Sequence, residues 1–173
     1  DVFVTNWGQN ALYRNNGRSA DGRVDFSEVA AEVGLGGSHF STSSIFLDYD
    51  RDGYLDLYVT QYVDFDPRRI CTQEGGRRDF CGPTQFPGVS DTLYRNLGGR
   101  GFRDVSDETG VAGTDYAGLG VVSADLNDDG WMDIYVANAG VIGAPALGSE
   151  ADWDVTLDVN LRAHIRAARL LVP

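Results

Sequence analysis

DYDRDGYLDLYV at residues 48–59 and DLNDDGWMDIYV at residues 125–136 are two copies of one pattern. Each copy fits D-x-[DN]-x-D-G-x-x-D and continues into a short β-branched and aromatic segment of the kind that forms strands. The same segment opens the chain at residues 1–6, where Asp1 takes the ninth position of such a loop. This self-similarity indicates a repeat protein in which each unit contributes a few strands.

Two further motifs recur at fixed places within each unit. LYRN occurs at residues 12–15 and 93–96, and F-x-x-V occurs at residues 26–29 and 102–105. Each unit therefore contains an apolar strand, the Asp-rich loop, a D-[VLI]-[FY]-V strand, the LYRN strand and the F-x-x-V strand. Four strands per unit is the number found in a propeller blade. The sequence predicts a mostly β fold, an incomplete β-propeller of about two and a half four-stranded blades followed by a C-terminal α-helix.

Composition divides the chain near residue 138. All eight Tyr and all eight Phe precede Ala139. We therefore assign residues 1–138 to the propeller blades and residues 139–173 to a separate segment. Within the first part, residues 64–90 are rich in Arg, Gly and Pro and contain both cysteines. Such a stretch is typical of an insertion on one face of a repeat array.

The two Asp-rich loops have the spacing of a calcium site. Ca²⁺ takes six to eight oxygen ligands, and side chains at loop positions 1, 3 and 5 converge on it when the backbone wraps around the ion. Glycine at position 6 permits the turn, the carbonyl at position 7 adds a ligand, and the carboxylate at position 9 closes the site. An Asp-Gly loop can also be no more than a stable turn. The predicted ligands are Asp48, Asp50, Asp52, Tyr54 and Asp56 in the first loop, and Asp125, Asn127, Asp129, Trp131 and Asp133 in the second.

The charge of the chain limits its partners. The formal net charge is −12, and all 14 basic residues are arginine. This acidity argues against nucleic acid, which requires a basic surface, and favours cations or cationic partners. No apolar run approaches the roughly 20 residues of a membrane-spanning helix. The absence of lysine also excludes chemistry that depends on a lysine side chain.

These loops, together with LYRNNG and FRDVSDETGV, resemble the FG-GAP/VCBS repeats of bacterial secreted proteins, which often accompany an ASPIC/UnbV domain. Those repeats are similar to the propeller of integrin α-subunits, in which such loops hold Ca²⁺. The resemblance implies a calcium-binding module for adhesion or structure, with no catalytic residues of its own. It further implies an extracellular, periplasmic or cell-surface location and a protein or carbohydrate ligand.

The two cysteines of the insertion, Cys71 and Cys81, lie ten residues apart. A secreted type of family favours a disulfide between them. The alternative is a pair of free thiols. A zinc site is not supported, because the insertion has neither a C-x-x-C motif nor a nearby histidine.

Residues 139–173 lack the next LYRN strand. Their apolar residues recur with a helical period, which predicts a helix at about residues 150–171. DIYVANAG at residues 133–140, Trp153 and DVNL at residues 158–161 resemble the middle of short-chain dehydrogenases/reductases, where Asn160 would match the catalytic Asn. This resemblance implies, as an alternative function, an NAD(P)-dependent dehydrogenase fragment in a chimeric chain. The fragment would be inactive, because no TGxxxGxG segment precedes it and the chain has no lysine for a Tyr-x-x-x-Lys motif.

Overall fold

The computed structural model describes residues 1–73, 75–113 and 117–137. The predicted C-terminal helix and the dehydrogenase-like residues beyond position 137, with Asn160, lie outside the described residues. Within the described residues no helix is long and apolar enough to cross a membrane. The strands in chain order are β1 (Val2–Val4), β2 (Trp7–Gln9), β3 (Ala11–Arg18), β4 (Val24–Glu28), β5 (Ser38–Leu47), β6 (Asp56–Gln61), β7 (Cys71–Thr72), β8 (Arg78–Asp79), β9 (Thr92–Asn96), β10 (Phe102–Asp104), β11 (Gly120–Ala124) and β12 (Asp133–Ala137).

The strands form three successive antiparallel sheets that follow the repeat units. The first sheet has the order β1-β3-β4, and the second contains β5, β6, β9 and β10 as neighbours. The strands β11 and β12 form the third sheet. The predicted mostly β fold is therefore confirmed, and the sheets are consistent with propeller repeats. The described sheets do not close into a ring.

The second sheet packs against both of its neighbours through its inner strand, β6. Every residue of β6 is buried. Leu57 and Val59 join a core cluster with Leu12 and Val29 of the first unit. Tyr58 points to the opposite face and joins a cluster with Val121 of the third unit. Because side chains alternate along a strand, one strand can contribute to two hydrophobic cores. This packing of sheet against sheet fixes the positions of the loops at the strand ends.

Several elements differ from the four-strand prediction. The strand β2 comes from the connection between β1 and β3, yet it pairs with β5 and adds a fifth strand to the second sheet. One helical turn, α1 (Ser106–Thr109), follows β10. A short 3-10 turn at Pro83–Gln85 lies in the insertion. These elements are only three or four residues long, which is too short to show a periodic pattern in the sequence, and β2 takes its register from β5.

The insertion contains a disulfide-linked hairpin. The strands β7 and β8 pair with each other, with Cys71 opposite Asp79. Cys71 and Cys81 are bonded, with their Cα atoms 5.3 Å apart. The predicted disulfide is therefore confirmed. The hairpin lies in the connection between β6 and β9, whereas the first Asp-rich loop connects β5 to β6, so the two features lie at opposite ends of β6.

Candidate metal centre

The two Asp-rich loops have the same internal hydrogen bonds. In the first loop, which connects β5 to β6, the backbone nitrogens of Asp52 and Gly53 donate to Asp48 at 3.1 and 3.0 Å. In the second loop, which connects β11 to β12, the nitrogens of Asp129 and Gly130 donate to Asp125 at 3.1 and 2.7 Å. The carboxylate at position 1 thus orders the turn in both loops.

The fifth position of each loop organises the residue two positions later. Asp52 accepts a hydrogen bond from the backbone nitrogen of Tyr54 at 2.9 Å. Asp129 accepts the matching bond from Trp131 at 2.8 Å. The two aromatic side chains at position 7 are each 49% exposed. They lie outside the cores, so the loop, not side-chain burial, determines where these residues lie.

Left-handed backbone occurs at two positions of each loop. The predicted glycines, Gly53 and Gly130, have φ values of 87° and 83°. The residues at position 4, Arg51 and Asp128, also have positive φ, at 60° and 58°. Non-glycine residues adopt this region at a cost in free energy. The turn at position 4 was not predicted, since neither residue type identifies it, and it occurs at the same place in both loops.

The carboxylate at position 9 joins the end of each loop to its beginning by a hydrogen bond. Asp56 is fully buried at 0% exposure, and its Oδ2 accepts a hydrogen bond from the Tyr49 nitrogen at 3.1 Å. Asp133 accepts the matching bond from the Leu126 nitrogen at 2.9 Å. Burial raises the pKa of Asp56, and the carboxylates of Asp50 and Asp52 raise it further, while its two backbone N–H donors oppose the shift.

Three carboxylates of the first loop converge. One oxygen from each of Asp48, Asp50 and Asp56 lies within 4.8 Å of the others. Two oxygens bound to one Ca²⁺ at about 2.3–2.6 Å can be at most about 5 Å apart. These oxygens are therefore close enough to share one ion, and a donor set made only of oxygen suits a hard cation. The residues present fit Ca²⁺.

Arg95 completes the surroundings of the first loop. Its Nη2 lies 2.6 Å from Asp50 Oδ2 and 3.6 Å from Asp52 Oδ2. The contact with Asp50 is an ion pair. Asp50 Oδ2 is buried and has no hydrogen-bond partner, so Arg95 is the group that compensates its charge. Asp50 is one of the three converging carboxylates, whereas Asp52, which is farther from Arg95, is not. Arg95 belongs to the LYRN motif of β9, and its role was not predicted from the sequence.

The second loop uses an amide where the first uses a carboxylate. Asn127 Nδ2 donates to Asp129 Oδ2 at 2.9 Å. The hydrogen bond from the Trp131 backbone lowers the pKa of Asp129, and the bond from Asn127 adds to this effect. Within the described residues, only the first loop brings three acidic side chains within 4.8 Å of one another. Asp125, Asp129 and Asp133 occupy the predicted positions without converging as closely.

The two loops contact each other through Arg51 and Trp131. The guanidinium carbon of Arg51 lies 4.0 Å from the centre of the Trp131 ring, a cation–π contact. Arg51 also lies close to Gly130, where a Cβ atom would come within 2.7 Å of its Nη2. The position-4 residue of one repeat thus reaches the Asp-rich loop of the next.

Residue Asp1 shows that the first repeat follows the same design. Its Oδ1 accepts a hydrogen bond from the Asn15 backbone at 2.9 Å. In the second repeat, Asp56 Oδ1 accepts from the Asn96 backbone at 2.7 Å. Asp1 therefore makes the same hydrogen bond as Asp56, the ninth residue of the first Asp-rich loop.

The comparisons with known proteins bear on the repeats. The model of the FG-GAP-like repeat family matches residues 1–59 and 76–136. The gap between the two matched ranges contains Cys71 and the first part of the insertion, whereas Cys81 lies within the second matched range. A search of curated proteins found no match. The family match covers both Asp-rich loops and includes strands from each of the three repeat sheets, and it does not include the C-terminal segment. On this match, the chain belongs to the FG-GAP-like repeat family.

Proposed function

We propose that this chain is a calcium-binding module of β-propeller repeats that serves binding, adhesion or structure and has no catalytic role. The observation that supports this most directly is the convergence of Asp48, Asp50 and Asp56 within 4.8 Å in a loop whose hydrogen bonds recur in the second copy. A turn with no metal role has no need of three neighbouring carboxylates, which repel one another when uncompensated.

The proposed ligands follow from the loop positions. In the first loop the carboxylates of Asp48, Asp50, Asp52 and Asp56 would hold the ion, with the Tyr54 carbonyl as a further oxygen. In the second loop Asp125, Asn127, Asp129 and Asp133, with the Trp131 carbonyl, would take the corresponding places. The bound ion would supply positive charge that links β5 to β6 and β11 to β12.

The proposed location is extracellular, periplasmic or at the cell surface. The Cys71–Cys81 disulfide supports this, because disulfides persist in oxidising compartments. Extracellular calcium modules bind Ca²⁺ with dissociation constants of about 10⁻⁴–10⁻³ M, which suits a compartment rich in calcium. A protein or carbohydrate is the proposed partner class.

Calcium titration tests this proposal. We expect Ca²⁺ to raise the melting temperature of the full chain above its value in chelator, and calorimetry to detect saturable binding. The double variant Asp48→Ala/Asp125→Ala is expected to lose both effects. The variant Asp25→Ala/Asp107→Ala, which removes two exposed carboxylates outside the loops, serves as the matched control. A melting temperature independent of Ca²⁺, together with saturable NAD(P)H fluorescence enhancement, would instead favour the dehydrogenase-fragment alternative.

A further inference from the structure

Arg95 occupies a position that the metal-binding pattern does not include. It lies on β9, forty-five residues after Asp50 in the chain numbering, and its guanidinium contacts two side chains of the first loop at 2.6 and 3.6 Å. The two loop side chains, Asp50 and Asp52, are 20% and 30% exposed, and Arg95 is 39% exposed. The group is therefore partly shielded from solvent, where an ion pair is worth more than on the open surface.

Arg95 faces carboxylate oxygens of Asp50 and Asp52 that accept no hydrogen bond from the loop backbone. Asp50 Oδ1 accepts from the Asp52 backbone, and Asp52 Oδ1 accepts from the Tyr54 backbone. The oxygens nearest to Arg95 are Oδ2 of both residues. A cation that binds this loop would use carboxylate oxygens of these same residues as ligands. Arg95 and such a cation therefore compete for the same side chains.

The structure also holds Arg95 in place through its neighbour. The backbone nitrogen of Asn96 donates to Asp56, and the Asn96 side chain donates to the Leu55 carbonyl at 2.9 Å. These two bonds attach the end of β9 to the end of the loop. The end of the strand that carries Arg95 is thus fixed beside the loop, and the planar guanidinium is suited to pairing with carboxylates.

We propose that Arg95 is a built-in counter-cation for the first loop. It holds Asp50 and Asp52 together when the loop contains no calcium, and it lowers calcium affinity by competing for their oxygens. This inference rests on the proposed calcium function. The second loop has a different arrangement, in which the neutral amide of Asn127 contacts Asp129. Among the described residues, an ion pair between an arginine and a loop carboxylate is found in the first loop, whereas Arg51 contacts the second loop through the Trp131 ring.

The test compares Arg95→Gln with the wild-type chain. To isolate the first loop, both proteins carry Asp125→Ala, which disables the second. We expect Arg95→Gln to bind Ca²⁺ about two- to fivefold more tightly by calorimetry, the factor that a partly exposed ion pair contributes. We also expect a lower melting temperature in chelator, so that the rise on adding Ca²⁺ is larger. Unchanged or weaker calcium binding would overturn the proposal.

Two further variants sharpen the comparison. Arg103→Gln removes an arginine of β10 that pairs with Glu108 of α1 and forms no ion pair with the loop carboxylates. It is expected to leave calcium affinity unchanged, and an equal gain in affinity there would show a non-specific charge effect and contradict the proposal. Arg95→Lys keeps the charge, so its affinity is expected to lie nearer to wild type than that of Arg95→Gln.

A double-mutant cycle in chelator separates this inference from the calcium function. The cycle uses Asp50→Asn, Arg95→Gln and the double variant, with unfolding by urea as the readout. A favourable coupling between the two side chains supports the counter-cation even if the wild-type chain binds no calcium. No coupling overturns it, whatever the calcium titration shows. The failure of one proposal is thereby distinguished from the failure of the other.

Discussion

The backbone nitrogen of Asn96 donates a hydrogen bond of 2.7 Å to the carboxylate of Asp56, and the same bond joins Asn15 to Asp1 in the preceding repeat at 2.9 Å. This relationship explains why the LYRN motif recurs. Leu12 and Leu93 of the two copies, and Tyr94 of the second, belong to the hydrophobic cores, while the Asn attaches the strand to the ninth residue of the Asp-rich loop. The strand and the loop are therefore one structural unit, and a change in either affects the other.

Replacing Asp56 with Asn is expected to destabilise the protein even without calcium. An amide has one acceptor oxygen, so one of the two backbone N–H groups that bind the carboxylate would face an NH₂ group. Loss of a hydrogen bond to a charged acceptor costs about 1.5–3 kcal/mol, and relief of the buried charge offsets part of it. Urea unfolding in chelator measures the effect. Asp25→Asn, an exposed change of the same kind, is the control, and equal stability of the two variants would contradict the prediction.

Substitution of Gly118 tests the junction between the second and third repeats. A Cβ at this position would come within 2.8 Å of the Gln61 carbonyl and 2.9 Å of the Thr60 side chain. Gly118 also donates to the Gln61 carbonyl at 2.7 Å, so it cannot move away without losing this bond. We expect Gly118→Ala to lower the free energy of unfolding by about 1–3 kcal/mol. Gly120→Ala, where no atom lies within 4 Å of the added Cβ, is expected to be nearly neutral.

Loss of the disulfide is expected to loosen the insertion. Cys71 and Cys81 close a loop with a sequence separation of 10. A loop of this length is worth about 2–3 kcal/mol in chain entropy. The variant Cys71→Ser/Cys81→Ser is therefore expected to be cleaved faster by protease within the insertion. Thiol labelling of the wild-type chain under denaturing, non-reducing conditions is expected to find no free thiol, and two labelled thiols would contradict the disulfide.

A pH dependence follows from Asp91, which is 3% exposed. Burial raises its pKa, although hydrogen bonds from the Gln61 nitrogen and the Tyr58 hydroxyl oppose the shift. The folded state therefore binds more protons than the unfolded state from the ordinary Asp pKa of about 3.9 up to the raised value, so the contribution of Asp91 to stability falls as pH rises through this window. We expect wild type to lose stability relative to Asp91→Asn over this range and the difference to level off above it. Urea unfolding in calcium-free buffers measures it, and a difference independent of pH would contradict the prediction.

The sequence predicted the parts of the fold that repeat. The loops, the strand after each loop and the LYRN strands carry one pattern in several copies, and repetition separates a pattern from chance. It did not predict β2, because Trp7–Gln9 is three residues long and takes its register from β5. The disulfide was predicted from the type of family and not from spacing.

Less of the candidate site than of the fold could be predicted from the sequence. The loop pattern placed Asp48, Asp50 and Asp56 together, because their spacing within one turn is local. Arg95 and the Arg51–Trp131 contact could not be placed, since each depends on how one repeat or strand packs on another. Position 3 of the two loops differs, and that difference could be read directly: Asp50 in the first loop corresponds to Asn127 in the second.

The last prediction concerns this difference at position 3. Asn127→Asp adds a carboxylate to the second loop and removes the hydrogen bond from its amide to Asp129, which measures 2.9 Å. Without calcium, the new charge lies beside two carboxylates, so we expect the melting temperature in chelator to fall. With calcium, the extra charged ligand is expected to tighten binding, because ligand charge helps to set Ca²⁺ affinity. The matched control is Asn16→Asp, which likewise breaks an amide bond to a carboxylate, from Asn16 to Asp25 at 3.1 Å, but lies outside the loops. It is expected to lose stability in chelator and to gain no calcium affinity. Calorimetry that finds weaker calcium binding in Asn127→Asp would show that repulsion among the loop carboxylates outweighs the added ligand charge.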